Sequence, residues 1–233
     1  MKRLELDLTR NNIICGDCKD WLPYIPSNSI DLIYIDPPFF SNKNYEIVWG
    51  NGFELRSFGD RWKGGINHYI GWMRDKILEA HRVLKPTGSI YLHCDHHANH
   101  HLRVLLDEIF GEENFRSEII WWYLWGGRGK KQWNRKHDNI YFYSKSKNWT
   151  FNYSDVLDEN NLVSESSKQR VKYRGALVNH REGKKSDVPL GMVLPSDTWY
   201  IPTINAMSKE RIGYRTQKPE KLIKKIILAS SNK

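Results

Sequence analysis

The run Leu32-Ile33-Tyr34-Ile35, entered at Asp31, halts abruptly at Asp36-Pro37-Pro38-Phe39. An apolar run without polar alternation suits a central parallel strand covered on both faces. Neither proline can donate to a β-ladder, so the double proline ends the strand. In an open α/β sheet, ligands bind beyond the carboxyl ends of the strands. The pattern therefore sets a carboxylate, a rigid turn and an aromatic ring at the functional edge of such a sheet.

The rest of the chain repeats the alternation that this strand requires. Ile13-Ile14-Cys15-Gly16 reads as a short strand, and Cys18 to Leu22 as a short helix closed by Pro23. Residues 40 to 65, rich in Asn, Gly and aromatics, read as a long loop. Helical spacing runs from Tyr69 to Leu84 through Ile70, Met73, Ile77 and Leu78, and Lys85-Pro86-Thr87-Gly88 stops it. Ser89 to Cys94 is the next strand, followed by a helix from Ala98 to Phe110 that ends at Gly111. Strand and helix thus alternate twice, which predicts an α/β fold with a parallel sheet. Further strands are expected at Ser117 to Trp125 and Asn139 to Ser144, and a last amphipathic helix from Pro219 to Ala229. Residues 145 to 213 are polar and irregular. Three regions follow: a core over 1–144, an irregular region over 145–213, and a helix over 214–233 that returns to the core.

Composition narrows the partners. Lys and Arg number 36 against 27 Asp and Glu, a net charge of +9. Such a surplus suits a polyanion, because cations that replace phosphate counterions gain free energy from their release. The cations concentrate in the glycine-rich stretch Gly126-Gly127-Arg128-Gly129-Lys130-Lys131, just after Trp121-Trp122-Tyr123 and Trp125. Aromatic rings beside cations suit base stacking and phosphate contact, which makes Trp125, Arg128, Lys130 and Lys131 candidate DNA-binding residues. Cys15 and Cys18 have C-x-x-C spacing without a second pair, and two thiols at a strand end is the reading preferred to zinc or redox chemistry. The lack of a disulfide framework, of a signal peptide and of a membrane-length apolar run predicts a cytoplasmic protein. His96/His100 and His97/His101 have the spacing of helical metal ligands, but the glutamate of a zinc-hydrolase motif is absent; no metal site is expected there.

The amino group of a nucleobase is a poor nucleophile, because its lone pair is delocalised into the ring. A carboxylate and a rigidly aimed carbonyl that accept its two N–H bonds push electron density back onto nitrogen, and the ring of Phe39 can stack on an extruded base. Around this tetrad the chain resembles the permuted, or β-class, DNA amino-methyltransferases of restriction–modification systems. The resemblance runs through Gly16-Asp17, Asp36 to Phe39, Leu84-Lys85-Pro86-Thr87-Gly88 with Ser89 to Asp95, and Leu106 to Gly111. It continues in Lys136 to Ile140 with Tyr141 to Lys145, and in Thr216-Gln217-Lys218-Pro219. It implies a Rossmann-like class I methyltransferase sheet with helices on both faces, and methyl transfer from S-adenosylmethionine to an exocyclic base nitrogen in double-stranded DNA. By analogy Asp36 and the Pro37 carbonyl hold the amino group, Pro38 shapes the turn and Phe39 stacks on the base. Thr216, Gln217 and Lys218 match the segment beside the methionine end of the cofactor, and Asp17 a position on its adenine side. The aspartate-led tetrad points to adenine N6, with cytosine N4 as the alternative. Residues 145–213 occupy the target-recognition position.

One segment of the family pattern is missing. An acidic turn containing phenylalanine and glycine, which forms the main cofactor loop, should follow the last helix, yet the sequence given stops at Ser230-Ser231-Asn232-Lys233. The expectation is an incomplete sheet, belonging to a longer or split enzyme whose other segment or second chain carries that loop. A noncatalytic DNA-binding subunit is the competing reading.

Overall fold

The computed structural model describes residues 9–49, 54–124, 129–159, 192–214 and 216–232. In chain order the elements are α1 (Cys18–Trp21), a 3-10 turn (Leu22–Tyr24), β1 (Ile30–Ile35), β2 (Asn44–Trp49), β3 (Glu54–Gly59) and α2 (Gly65–Val83). Next come β4 (Leu84–Cys94), α3 (Asn99–Phe110), β5 (Phe115–Trp122) and β6 (His137–Ser144). Three short strands, β7 (Asp158–Glu159), β8 (Met192–Val193) and β9 (Thr198–Tyr200), precede the final helix α4 (Glu220–Ser230).

Five strands form the main sheet in the order β1-β4-β6-β5-β9. β1 pairs with β4 in parallel, Ile35 opposite Leu92, and β5 pairs in parallel with β9. β6 lies antiparallel to both β4 and β5, so the sheet is mixed where a parallel one was expected. Residues 123–136 join β5 to β6 with no helix among the described ones, whereas a parallel pair is usually joined through a crossover helix. β9 comes from within the irregular region yet adds a strand to the sheet.

Side-chain alternation along β4 and β6 divides the core between two faces. Ile90, Leu92, Tyr141 and Tyr143 pack against Tyr69, Met73 and Ile77 of α2 and Leu102, Leu105 and Leu106 of α3. Tyr91, Ile140 and Phe142 point the other way, onto Leu222 and Ile226 of α4. Helices therefore cover both faces, and the α/β class holds.

Three local readings are corrected. Ile13 to Gly16 forms no strand; Ile13 is fully exposed, and no described strand pairs with it. A strand exists through its ladder, and the apolar pair alone does not create one. β1 lies at the edge of the described sheet, all six residues partly buried, although its apolar run suggested a central position. The expected loop over 40–65 contains the antiparallel pair β2–β3, in register from Asn44 opposite Gly59 to Trp49 opposite Glu54. Among the described residues no helix is long and apolar enough to cross a membrane.

Candidate active site

The tetrad leaves β1 at the edge where β4 ends and the β5–β6 connection begins, since Ile35 lies opposite Leu92 and Cys94 opposite Asn139. Asp36, Pro37, Pro38 and Phe39 line a cavity of about 230 Å³ together with Tyr214, Thr216 and Lys218. Two segments about 180 residues apart thus meet in one site. Lys218 Nζ donates to Asp36 Oδ2 at 2.6 Å and to the Thr216 carbonyl at 3.2 Å. The same ammonium stands 5.4 Å from the Phe39 ring centroid. Its charge offsets that of the carboxylate and fixes one oxygen, leaving Oδ1 facing His93 Nδ1 at 3.6 Å.

The turn is held from behind. Tyr69 donates its hydroxyl to the Pro38 carbonyl at 2.7 Å. Asp60, fully buried, accepts the backbone N–H groups of Phe40 (2.9 Å) and Ser41 (2.6 Å) and the indole N–H of Trp62 (2.9 Å). Phe40 and Asn42 adopt positive φ values of 62° and 56°, a region that costs non-glycine residues free energy and persists only where the surroundings over-determine it. Asp60 and Tyr69 are those surroundings. Neither is singled out by the sequence: an aspartate among glycines and aromatics has no local signature, and two of its three partners lie some twenty residues upstream.

Beneath the tetrad runs a second polar group. His93, on β4, is fully buried and joins the Tyr34 hydroxyl to Asp138 of β6, whose other oxygen accepts the Tyr123 hydroxyl at 3.1 Å. Burial first, and then the carboxylates Asp36 and Asp138, push the Tyr34 hydroxyl pKa well up, so that it keeps its proton.

The other expected residues fall in several places. Gln217 does not line the cavity; its side chain accepts from Ile212 N (3.0 Å) and donates to the Glu210 carbonyl (2.8 Å), bracing the loop that leads to Tyr214. Asp17 also lies off the cavity. It caps α1 through Lys19 N at 3.0 Å, which with Lys76 at 3.5 Å holds its carboxyl below the usual range. Lys130 and Lys131 are exposed in the β5–β6 connection, on the tetrad's side of the sheet. Trp125 and Arg128 lie outside the described residues. The helical histidine spacing does not apply, because α3 begins at Asn99, after His96 and His97. Asp95, His96 and His97 do bring their ligand atoms within 4.8 Å of one another. Asp95 binds His97 through both Nδ1 and the backbone N–H, a local turn that leads into the helix.

A family model described as DNA methylase matches residues 30–233. The chain belongs to this family. DNA adenine methyltransferase YhdJ of Escherichia coli is 32% identical over 94% of this chain and 67% of its own length. Type II methyltransferase M.HpaI of Haemophilus parainfluenzae is 30% identical, over 94% of this chain and 60% of its own. Among solved structures, PvuII DNA methyltransferase (cytosine-N4-specific) superposes with a TM-score of 0.57 at 13% identity, covering 93% of this chain and 69% of that one. That likeness places the chain in the Rossmann-like class I methyltransferase fold. With M.BglII of Bacillus subtilis included, the chain spans 56 to 67% of the length of these sequence relatives.

Proposed function

We propose that this chain carries the base-binding and methyl-accepting side of an S-adenosylmethionine-dependent DNA amino-methyltransferase of the permuted β class, with adenine N6 as its target. The observation that supports this most directly is the meeting of Asp36 to Phe39 with Thr216 and Lys218 around one cavity. Its lining fits a base and the cofactor's methionine end: the hydroxyls of Tyr214 and Thr216 for polar groups, and aromatic rings for flat ones. At about 230 Å³ it falls below the roughly 300–1,000 Å³ typical of drug-sized ligand pockets. That size suits one ring system and the methyl-bearing end of a donor. A second segment or chain carrying the cofactor loop would complete the donor's nucleoside side.

S-adenosylmethionine, when bound, supplies a methyl group on a sulfonium leaving group. The protein's part is orientation and charge. Asp36 Oδ1 and the Pro37 carbonyl accept the two N–H bonds of the amino group, turning its lone pair toward the incoming carbon. The nitrogen loses one proton as it gains that carbon, and Asp36 is the acceptor we assign to it. Phe39 stacks on the extruded base. Lys218 fixes the second oxygen of Asp36 throughout. The exposed Lys130 and Lys131, with Arg128 and Trp125, are assigned to the DNA backbone beside the site, and 145–213 to target recognition. A cytoplasmic location and a restriction–modification role follow from the same reading.

Adenine is favoured by the aspartate-led tetrad and by a relative whose name specifies adenine. Cytosine N4 is the alternative. Incubation with S-adenosylmethionine and unmethylated genomic DNA, followed by mass analysis of the digested nucleosides, separates them. N6-methyladenine is expected; N4-methylcytosine would reverse the base assignment.

A further inference from the structure

The tetrad chemistry makes no use of His93, although the structure invests heavily in it. The imidazole is wholly buried, where an unpartnered polar group is costly. Both of its nitrogens are engaged: Nδ1 lies 2.7 Å from the Tyr34 hydroxyl and Nε2 lies 3.3 Å from Asp138 Oδ2. A tyrosine that keeps its proton donates to Nδ1, which leaves the ring proton on Nε2, directed at Asp138. The hydrogen-bond network thereby assigns the tautomer. The carbon faces of the ring are also used. Its centroid lies 5.3 Å from that of Phe39, and it meets Trp121 edge-on at 5.4 Å. Nδ1 lies 3.6 Å from Asp36 Oδ1, the oxygen that Lys218 does not hold.

We propose that His93 is a positioning residue for methyl transfer: clamped by Tyr34 and Asp138, it backs the ring of Phe39 and the free oxygen of Asp36, and so sets where the extruded base and its amino group come to rest. The proposal rests on the reading of this cavity as the methyl-transfer site. Lys218 bonds Asp36 at Oδ2, while His93, whose Nδ1 accepts from Tyr34, bounds the space beside Oδ1 without bonding it, and the Phe39 ring packs near both residues. Because His93 is buried and acts through its neighbours, its loss affects the rate of the bound complex rather than DNA affinity. Misplacement by about 1 Å at a reacting centre costs on the order of 10²-fold in rate.

The test uses the full chain in two parallel measurements on His93→Ala, His93→Gln and Asp138→Asn. The first is methyl incorporation from labelled S-adenosylmethionine into unmethylated DNA, read as kcat and KM. The second is the ring resonances of isotope-labelled Phe39, assigned with Phe39→Leu. His93→Ala and Asp138→Asn are expected to lower kcat about 100-fold with KM for DNA within about twofold, and to shift the Phe39 signals. His93→Gln, which can still accept from Tyr34 and donate to Asp138, should recover part of the rate. The double variant His93→Ala/Asp138→Asn should be no slower than the slower single one, since the two act as a unit. Unmoved Phe39 signals, or a loss confined to KM or to thermal stability, would overturn the proposal. If the unmutated chain transfers no methyl group yet Phe39 still moves in the His93 variants, the positioning stands and the reading of the site fails. If the unmutated chain is active and Phe39 stays still, the reverse holds.

Discussion

In the proposed reaction Asp36 serves a nucleobase amine only if its carboxylate stands still, and the residues around it and its turn restrict it. Lys218 takes one oxygen, His93 stands by the other, and Tyr69 fixes the carbonyl two residues on. Asp60 has the widest reach of these supports, because its carboxyl accepts three N–H groups while fully buried. Asp60→Ala leaves those donors unpaired in the interior, where each costs about 1–3 kcal/mol. The expected loss is about 3 kcal/mol, seen as a fall of roughly 6–12 °C in melting temperature. A variant that melts like the parent would show that the positive-φ turn at Phe40 and Asn42 does not depend on Asp60.

At the scale of elements, the β1–β4 pair positions the site, and its register is set in part by a glycine. A Cβ on Gly88 would come within 3.0 Å of the Ile30 and Asp31 carbonyls and of the Leu84 side chain. Two of these are backbone atoms that cannot give way without moving β1. Gly88→Ala should therefore destabilise by about 1–3 kcal/mol, measurable by thermal melting; a neutral result would mean that the pair slides freely. The β5–β6 connection is the proposed DNA contact. Replacing both Lys130 and Lys131 with alanine should weaken DNA binding and reduce the log–log salt slope by about 1.8, if each lysine meets one phosphate. An unchanged slope removes the loop from the interface. These elements differ in how far the sequence disclosed them. α2, α3 and α4 were legible because a helix writes its buried face into a 3.6-residue period, and Met73, Ile77, Leu102, Leu106, Leu222 and Ile226 obey it. The Asp36 tetrad was legible because two prolines after an apolar run leave few alternatives. The edge position of β1, the direction of β6 and the β2–β3 hairpin were not, since pairing depends on partners far away in the chain. His93 and Asp60 escaped for the same reason: their importance lies in contacts across the sheet and across the turn.

At the scale of the whole molecule, one sheet carries two faces of helices and gathers the tetrad, the Thr216–Lys218 segment and the cationic connection along or beside a single edge. The net charge of +9 suits the approach of a polyanion to that edge. Membership of the DNA methylase family and the shared class I fold agree with this arrangement. The central claim is that Asp36 performs the chemistry while the basic surface holds the DNA, and one paired experiment tests it most directly. Methyl incorporation into unmethylated DNA and equilibrium DNA binding are measured side by side for the chain completed by its cofactor-loop segment and for the same enzyme carrying Asp36→Ala. The account predicts that Asp36→Ala loses transfer by about 10²–10³-fold or more while its DNA affinity stays within a few-fold. Transfer that survives the substitution would contradict it.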